Sequence, residues 1–221
     1  MNIVGFSGKM GSGKDYTAEQ ISKLLKKENS NYKISFMSFA NELRVELDEI
    51  VAEIKKESPL LFLADKYSVK LSEINIVYNL LLEDGAFQDE TYSLFNRTDK
   101  SRDILQYWGT DVRRKQDKDY WVNLVDKRIK STKCDFIFIT DVRFENEQKC
   151  VTDNGGIVIR CFVNEDEQQK RLNARGVKNN NMLHSSEIAM NGFKANYHVD
   201  TSKKDSIEIA IEIIKNSKYV T

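Results

Sequence analysis

The sequence is short of several things, and each shortage excludes something. It has one proline, Pro59, in 221 residues. No proline-rich linker therefore divides it. Its three cysteines, Cys134, Cys150 and Cys161, lack the spacing of a zinc site, and an odd number does not make a disulfide framework. Two histidines also disfavour a zinc centre. Net charge is absent, because 34 Lys and Arg balance 34 Asp and Glu. A neutral chain has no excess of cations with which to hold polymeric nucleic acid, although a small phosphate ligand can still find a local basic pocket. No apolar run approaches the length of a membrane span. Met1 to Phe6 has neither a basic region nor a long apolar core, so no signal peptide is expected and a cytoplasmic location is. With 40% hydrophobic and 10% aromatic residues the chain can bury a real core.

What is present alternates between strand and helix patterns. Asn2 to Ser7 is a short apolar strand, Gly8 to Gly13 a glycine-rich turn, and Asp15 to Lys27 a helix with Ala18, Ile21, Leu24 and Leu25 on one face. Tyr32 to Met37 reads as a strand and Asn41 to Lys56 as a helix. Residues 57–100 read as an insert that covers a cleft, partly helical at Leu60 to Leu63 and Ile74 to Leu82. Ser101 to Trp108 reads as a helix ended by Gly109, and Tyr120 to Lys130 as another. Phe136 to Thr140 is continuously apolar, as a parallel strand covered on both faces should be. Helix (144–153), strand (157–163), helix (165–174), short strand (197–199) and amphipathic helix (204–217) follow. The expected fold is α/β: one domain over 1–221, a parallel sheet of about five strands with helices on both faces.

The sharpest motif is Gly8-Lys9-Met10-Gly11-Ser12-Gly13-Lys14-Asp15, a G-x-x-x-x-G-K run followed by Asp. Its glycines allow a tight turn whose amide groups face a polyphosphate. The helix behind it offers its positive end, and Lys14 can reach the β- and γ-phosphates. The residue after the lysine is ordinarily Ser or Thr, whose hydroxyl binds Mg²⁺. Here it is Asp15, whose carboxylate can hold the metal directly or through water. Thr17 is the nearest hydroxyl, but should point elsewhere. Asp141 ends the clearest strand, where ligands bind in open α/β sheets, and is the second candidate metal acid. Arg143 lies two residues on. The alternative is an ordinary strand-to-helix turn with Asp as a cap.

The chain also carries Leu105-Gln106-Tyr107-Trp108-Gly109-Thr110-Asp111, then Tyr120-Trp121-Val122, the Asp141-Val142-Arg143 strand end, and His184-Ser185-Ser186-Glu187. Together with the Gly-Lys-Asp loop, these make the sequence resemble the phage (T4-like) deoxynucleoside monophosphate kinases of the P-loop kinase superfamily, over residues 1 to about 200. The resemblance implies a transferase that moves a phosphoryl group from ATP, with Mg²⁺, to a deoxynucleoside 5′-monophosphate in nucleotide metabolism. It implies that Gly8, Gly11, Gly13 and Lys14 hold ATP, with Lys9 and Ser12 completing the loop. It makes Asp15 and Asp141 the acids around Mg²⁺. Arg102 or Arg143 would hold the acceptor phosphate, and Gln106 or Trp121 would lie near the base, with Trp108 beside them. His184 and Glu187 would border the site. A homodimer is implied as well.

Two further groups follow from position. Arg44 lies on the helix after the second strand, where kinases of this fold often hold the acceptor phosphate; a solvated arginine is the alternative. Arg171 and Arg175 share a helical face at i, i+4 spacing. Within a lid over about 170–187 they would neutralise charge during transfer; a solvated basic face is the alternative. His198 is expected to be structural, and Phe136, Phe138, Phe144 and Phe162 to be core. Rival functions are another small-molecule kinase, acting on phosphomevalonate or dephospho-coenzyme A, and a non-catalytic nucleotide-binding module.

Overall fold

A computed structural model describes residues 1–96, 98–174 and 195–217. The chain divides into two compact units. Unit one comprises Met1–Ser38 and Val125–Thr221, and unit two Phe39–Leu124. The second unit thus starts earlier and ends later than the expected insert at 57–100.

Unit one holds β1 (Asn2–Ser7), α1 (Lys14–Glu28), β2 (Ile34–Met37), β3 (Phe136–Val142), α7 (Glu145–Asp153), β4 (Ile157–Phe162), α8 (Glu165–Ala174), β5 (Tyr197–Asp200) and α9 (Ser206–Asn216). All five strands are parallel, in the order β2-β3-β1-β4-β5. β1 is therefore central, and the chain leaves it first to one side and later to the other. That reversal is the switch point at which open α/β sheets bind ligands, beyond the strands' carboxyl ends. Together with the glycine loop after β1, this is the P-loop fold, as the alternating pattern led us to expect.

The central strands are buried on both faces, which is why they read as continuous apolar runs. Phe136, Ile137, Phe138 and Ile139 are at most 2% exposed. On one face, Val4, Phe6, Phe138 and Ile159 pack against Ala18, Ile21 and Leu25 of α1 and Ala210 and Ile214 of α9. The i, i+3, i+4 spacing of the apolar residues puts each helix stripe on the sheet. Phe162 departs from expectation: it is the terminal residue of β4 and is exposed, while its neighbour Cys161 points into the core. Phe144 is half-buried and His198 exposed.

Unit two holds α2 (Phe39–Lys55), α3 (Leu60–Tyr67), α4 (Leu71–Glu83), α5 (Asp99–Gln106) and a π-helical turn, Tyr107–Arg114, that continues α5. The helix α6 (Tyr120–Ser131) begins in this unit and ends in unit one. Contrary to the expectation from sequence, Gly109 does not stop the helix; the chain widens into the π-turn and runs on to Arg114. Thr98 caps α5, its hydroxyl accepting from the Ser101 amide at 2.8 Å. No helix among the described residues is long and apolar enough to cross a membrane.

Candidate phosphate-binding site

The site begins where β1 ends. Ser7 pairs with Val142 of β3, so the loop from Gly8 and the strand end bearing Asp141 emerge at one edge of the sheet. The loop's shape is set by glycine at two places in particular. Gly8 has φ of 148°, and a Cβ there would lie 2.4 Å from both the Cys161 carbonyl oxygen and Ser12 Oγ. Gly13 has φ of 83°, and a Cβ would meet Thr201 Oγ1 at 3.0 Å and Arg171 Nη1 at 3.2 Å. At Gly8 a side chain is excluded by conformation and by space together; at Gly13 it would be strained, and Thr201 and Arg171 would have to give way.

Lys14 opens α1. Its Nζ lies 3.1 Å from Asp15 Oδ2, and its side chain is only 12% exposed against 67% for Asp15. The ammonium is thus held at the loop by the residue that replaces the usual hydroxyl. Ser12 is buried, and its Oγ has no hydrogen-bond partner. A buried hydroxyl without a partner is costly, and a phosphate oxygen would satisfy it. Thr17 is buried beside the Cys161 thiol; burial pushes that thiol up to about 11.

Outside the loop, three consecutive carbonyls are caught by side chains from distant segments. Gln168 Nε2 donates to Met10 O at 2.6 Å, Arg171 Nη1 to Gly11 O at 3.4 Å, and Thr201 Oγ1 to Ser12 O at 2.7 Å. Arg171 also donates to Thr201 Oγ1 at 2.9 Å and Thr201 O at 3.1 Å, and Glu167 Oε1 accepts from its Nε at 2.8 Å. Arg171 is therefore tied to the back of the phosphate loop and to the β5 end, and is not the solvated face that was the alternative to a lid. Gln168 and Thr201 were not foreseen. Arg175, His184 and Glu187 lie outside the described residues.

At the β3 end, Asp141 and Arg143 are half-buried. The turn into α7 is held by Glu147, which is 2% exposed. Its Oε2 accepts from the backbone N–H groups of Arg143 at 2.7 Å and Phe144 at 3.2 Å. The capping task considered for Asp141 thus belongs to Glu147.

Unit two carries the other sequence candidates. Arg44 on α2 is half-buried, with Nη1 3.4 Å from Asn41 Oδ1 and its guanidinium 5.8 Å from the centre of the Phe95 ring. Arg102 and Gln106, on α5, are half-buried. Trp108 and Trp121 are core residues, 0% and 2% exposed, so neither presents a face on which a base could stack. The Trp108 indole donates to Glu46 at 2.7 Å and the Trp121 indole to Gly109 O at 3.1 Å. Glu46 also accepts from Arg113 Nε at 2.6 Å and from the Tyr120 hydroxyl. Arg113 sits 4.5 Å from the Tyr120 ring centre and 4.8 Å from that of Trp108. Burial, reinforced by the bond to Glu46, pushes the Tyr120 hydroxyl well above its ordinary range. Glu46 and Arg113 are a buried ion pair in an aromatic cage. Glu46 was detectable in sequence, since it lies on the apolar stripe of α2 between Leu43 and Ile50.

No group of three or more metal-ligating side chains exists among the described residues. Mg²⁺ does not need one, because it binds through one or two carboxylates and the phosphates of its nucleotide. The glycine cradle, the unpartnered Ser12 hydroxyl, and the two acids at the loop and strand end fit MgATP on those terms.

No family model matches the chain, and no curated protein is similar enough to match. Among solved structures, similarity extends to TT1252 from Thermus thermophilus, at 15% identity over 97% of this chain and 96% of that one, with a TM-score of 0.47. A shikimate kinase from Bacteroides thetaiotaomicron gives 11%, 97%, 97% and 0.41. A gluconokinase from Sinorhizobium meliloti gives 12%, 97%, 92% and 0.42. At such scores the fold rests on the strand order and the glycine loop, not on the likeness.

Proposed function

We propose that the protein is a small-molecule kinase that transfers the γ-phosphoryl group of MgATP to a deoxynucleoside 5′-monophosphate. The observation that carries the kinase reading is the glycine loop at the switch point, with Lys14 held at its mouth and Asp141 emerging at the same sheet edge. The acceptor is inferred from the resemblance of the Leu105–Asp111, Tyr120–Val122 and Asp141–Arg143 segments to the phage enzymes.

In this reading Gly8 to Gly13 cradle the polyphosphate, and Lys14 neutralises charge on its terminal phosphates. Asp15 and Asp141 would hold the Mg²⁺ of the co-substrate, which would supply charge neutralisation at the phosphates. A phosphate oxygen of the acceptor attacks the γ-phosphorus in line; the bond to the bridging oxygen breaks, and ADP leaves with the electron pair. The attacking oxygen is already ionised, so no general base is needed, and positioning with charge neutralisation does the work. Arg102 or Arg143 is the proposed contact of the acceptor phosphate, with Arg44 a further candidate from its place after β2. Gln106 is the remaining polar candidate for the base. Water must be kept out, or ATP is hydrolysed instead.

A coupled ADP-release assay tests this. MgATP is offered with each deoxynucleoside monophosphate, then with phosphomevalonate and with dephospho-coenzyme A. Turnover with deoxynucleotides is expected. Turnover only with another acceptor would keep the kinase and change its substrate. Nucleotide binding without any acceptor-dependent turnover would favour a binding module.

A further inference from the structure

The clasp behind the loop has a consequence beyond packing. A trans peptide is planar, so the carbonyl of one residue and the N–H of the next point in opposite directions. Fixing the Met10, Gly11 and Ser12 carbonyls on the outside therefore turns the Gly11, Ser12 and Gly13 amides to the other side. The Ser12 amide closes a turn onto Lys9 O at 3.0 Å. The Gly11 and Gly13 amides are left to receive an anion.

The clasp is also directional. A guanidinium only donates, so Thr201 Oγ1, which accepts from Arg171, must use its single proton elsewhere. The Ser12 carbonyl lies 2.7 Å away, against 3.4 Å for that of Phe162. Glu167 fixes Arg171 in turn. The chain is Glu167, Arg171, Thr201, Ser12, and Gln168 holds the carbonyl two residues earlier.

We propose that Gln168, Arg171 and Thr201 are positioning residues that pre-shape the phosphate loop before nucleotide arrives. The proposal rests on the phosphate-binding reading of the loop. It assigns these side chains to polyphosphate affinity itself rather than to recognition of the base or to lid closure.

The test uses the full chain and two readouts. Amide hydrogen exchange of peptides covering residues 8–14, without nucleotide, reports the loop's shape. Calorimetric titration with inorganic tripolyphosphate and with MgATP reports affinity. Thr201→Val keeps the shape of the side chain and removes the hydroxyl; Gln168→Leu provides a second break should the first fold poorly. Each should speed exchange across the loop and weaken tripolyphosphate and MgATP alike, by about tenfold for one hydrogen bond lost. Thr201→Ser should restore both, and Lys215→Ala on α9 should change neither.

Exchange and affinities of Thr201→Val and Gln168→Leu within about twofold of wild type would overturn the proposal. So would an Arg171→Lys variant that loses MgATP affinity but keeps wild-type exchange and tripolyphosphate binding, since Arg171 would then serve the base. If the wild-type chain binds neither probe, the phosphate-binding reading fails. The exchange data then decide the loop-shaping claim: faster exchange in the variants supports it, and unchanged exchange overturns it.

Discussion

The two units use polar side chains in opposite ways. In unit one, Gln168, Arg171 and Thr201 reach out of their own elements to catch backbone carbonyls, leaving the inner face of the loop ready for a ligand. In unit two, Glu46 and Arg113 turn inward and satisfy each other with the indole of Trp108, the hydroxyl of Tyr120 and the Tyr67 carbonyl. One arrangement leaves the inner face of the loop for something else; the other pairs its two charges with each other. A dense polar network is thus no sign of a binding site by itself. The Ser12 hydroxyl is left over inside a turn whose glycines resist side chains, whereas the Tyr67 hydroxyl, left over in unit two, belongs to a ring packed against Arg113 and Trp108.

This contrast can be broken from either side. The largest effect should come from Lys14→Ala, which removes the loop's cation while leaving the core intact. Turnover in the ADP-release assay should fall by about a hundred- to a thousand-fold, as when an electrostatic contact to developing charge is lost. Chemical stability should barely change.

Glu46→Ala should do the reverse. It leaves the Arg113 charge buried without its partner, which costs about 3–5 kcal/mol in comparable pairs. Urea unfolding followed by tryptophan fluorescence would show it, because Trp108 and Trp121 sit in that core. Replacing Glu46 and Arg113 together by apolar residues of similar volume should recover most of the loss.

Gly13→Ala sharpens the account of the loop. A left-handed non-glycine residue costs about 1–2 kcal/mol, and the new methyl group would press on Thr201 and Arg171. Nucleotide affinity should fall more than thermal stability, read by calorimetry beside a melting curve.

The smallest effect concerns pH. Burial pushes the thiols of Cys150 and Cys161 up to about 11 in the folded chain. The unfolded chain ionises them near the ordinary thiol value, so it binds fewer protons than the folded chain at alkaline pH. Their contribution is fully present below pH about 9 and is lost as the pH rises through about 11. Urea midpoints should fall across that window, and less steeply in a Cys150→Ala, Cys161→Ala variant.

The sequence disclosed what is local. A strand, a glycine turn and a helix lie within residues 2–28, and each announces itself through spacing or through a residue that only one conformation suits. The five-stranded parallel sheet followed from the same kind of pattern, repeated. The clasp was hidden because Thr201 and Ser12 are 189 residues apart, and only the parallel neighbours β1, β4 and β5 bring them together. The partners of Arg171 were hidden for a related reason: helical spacing describes a face and shows Glu167, but not Thr201, 30 residues on, or the Gly11 carbonyl, 160 residues back. Trp108 and Trp121 misled because an aromatic residue's burial depends on what packs over it. Gly109 misled because a helix that widens into a π-turn can carry a glycine through.

In the proposed function the γ-phosphoryl group held at this loop passes to a deoxynucleoside monophosphate. Phosphorus NMR of the enzyme with MgATP and each deoxynucleoside monophosphate follows that group directly. Loss of the ATP γ resonance is expected, with a matching gain of a deoxynucleoside diphosphate β resonance, and neither with Lys14→Ala. Loss of the γ resonance into inorganic phosphate, with every monophosphate unchanged, would contradict the proposed function.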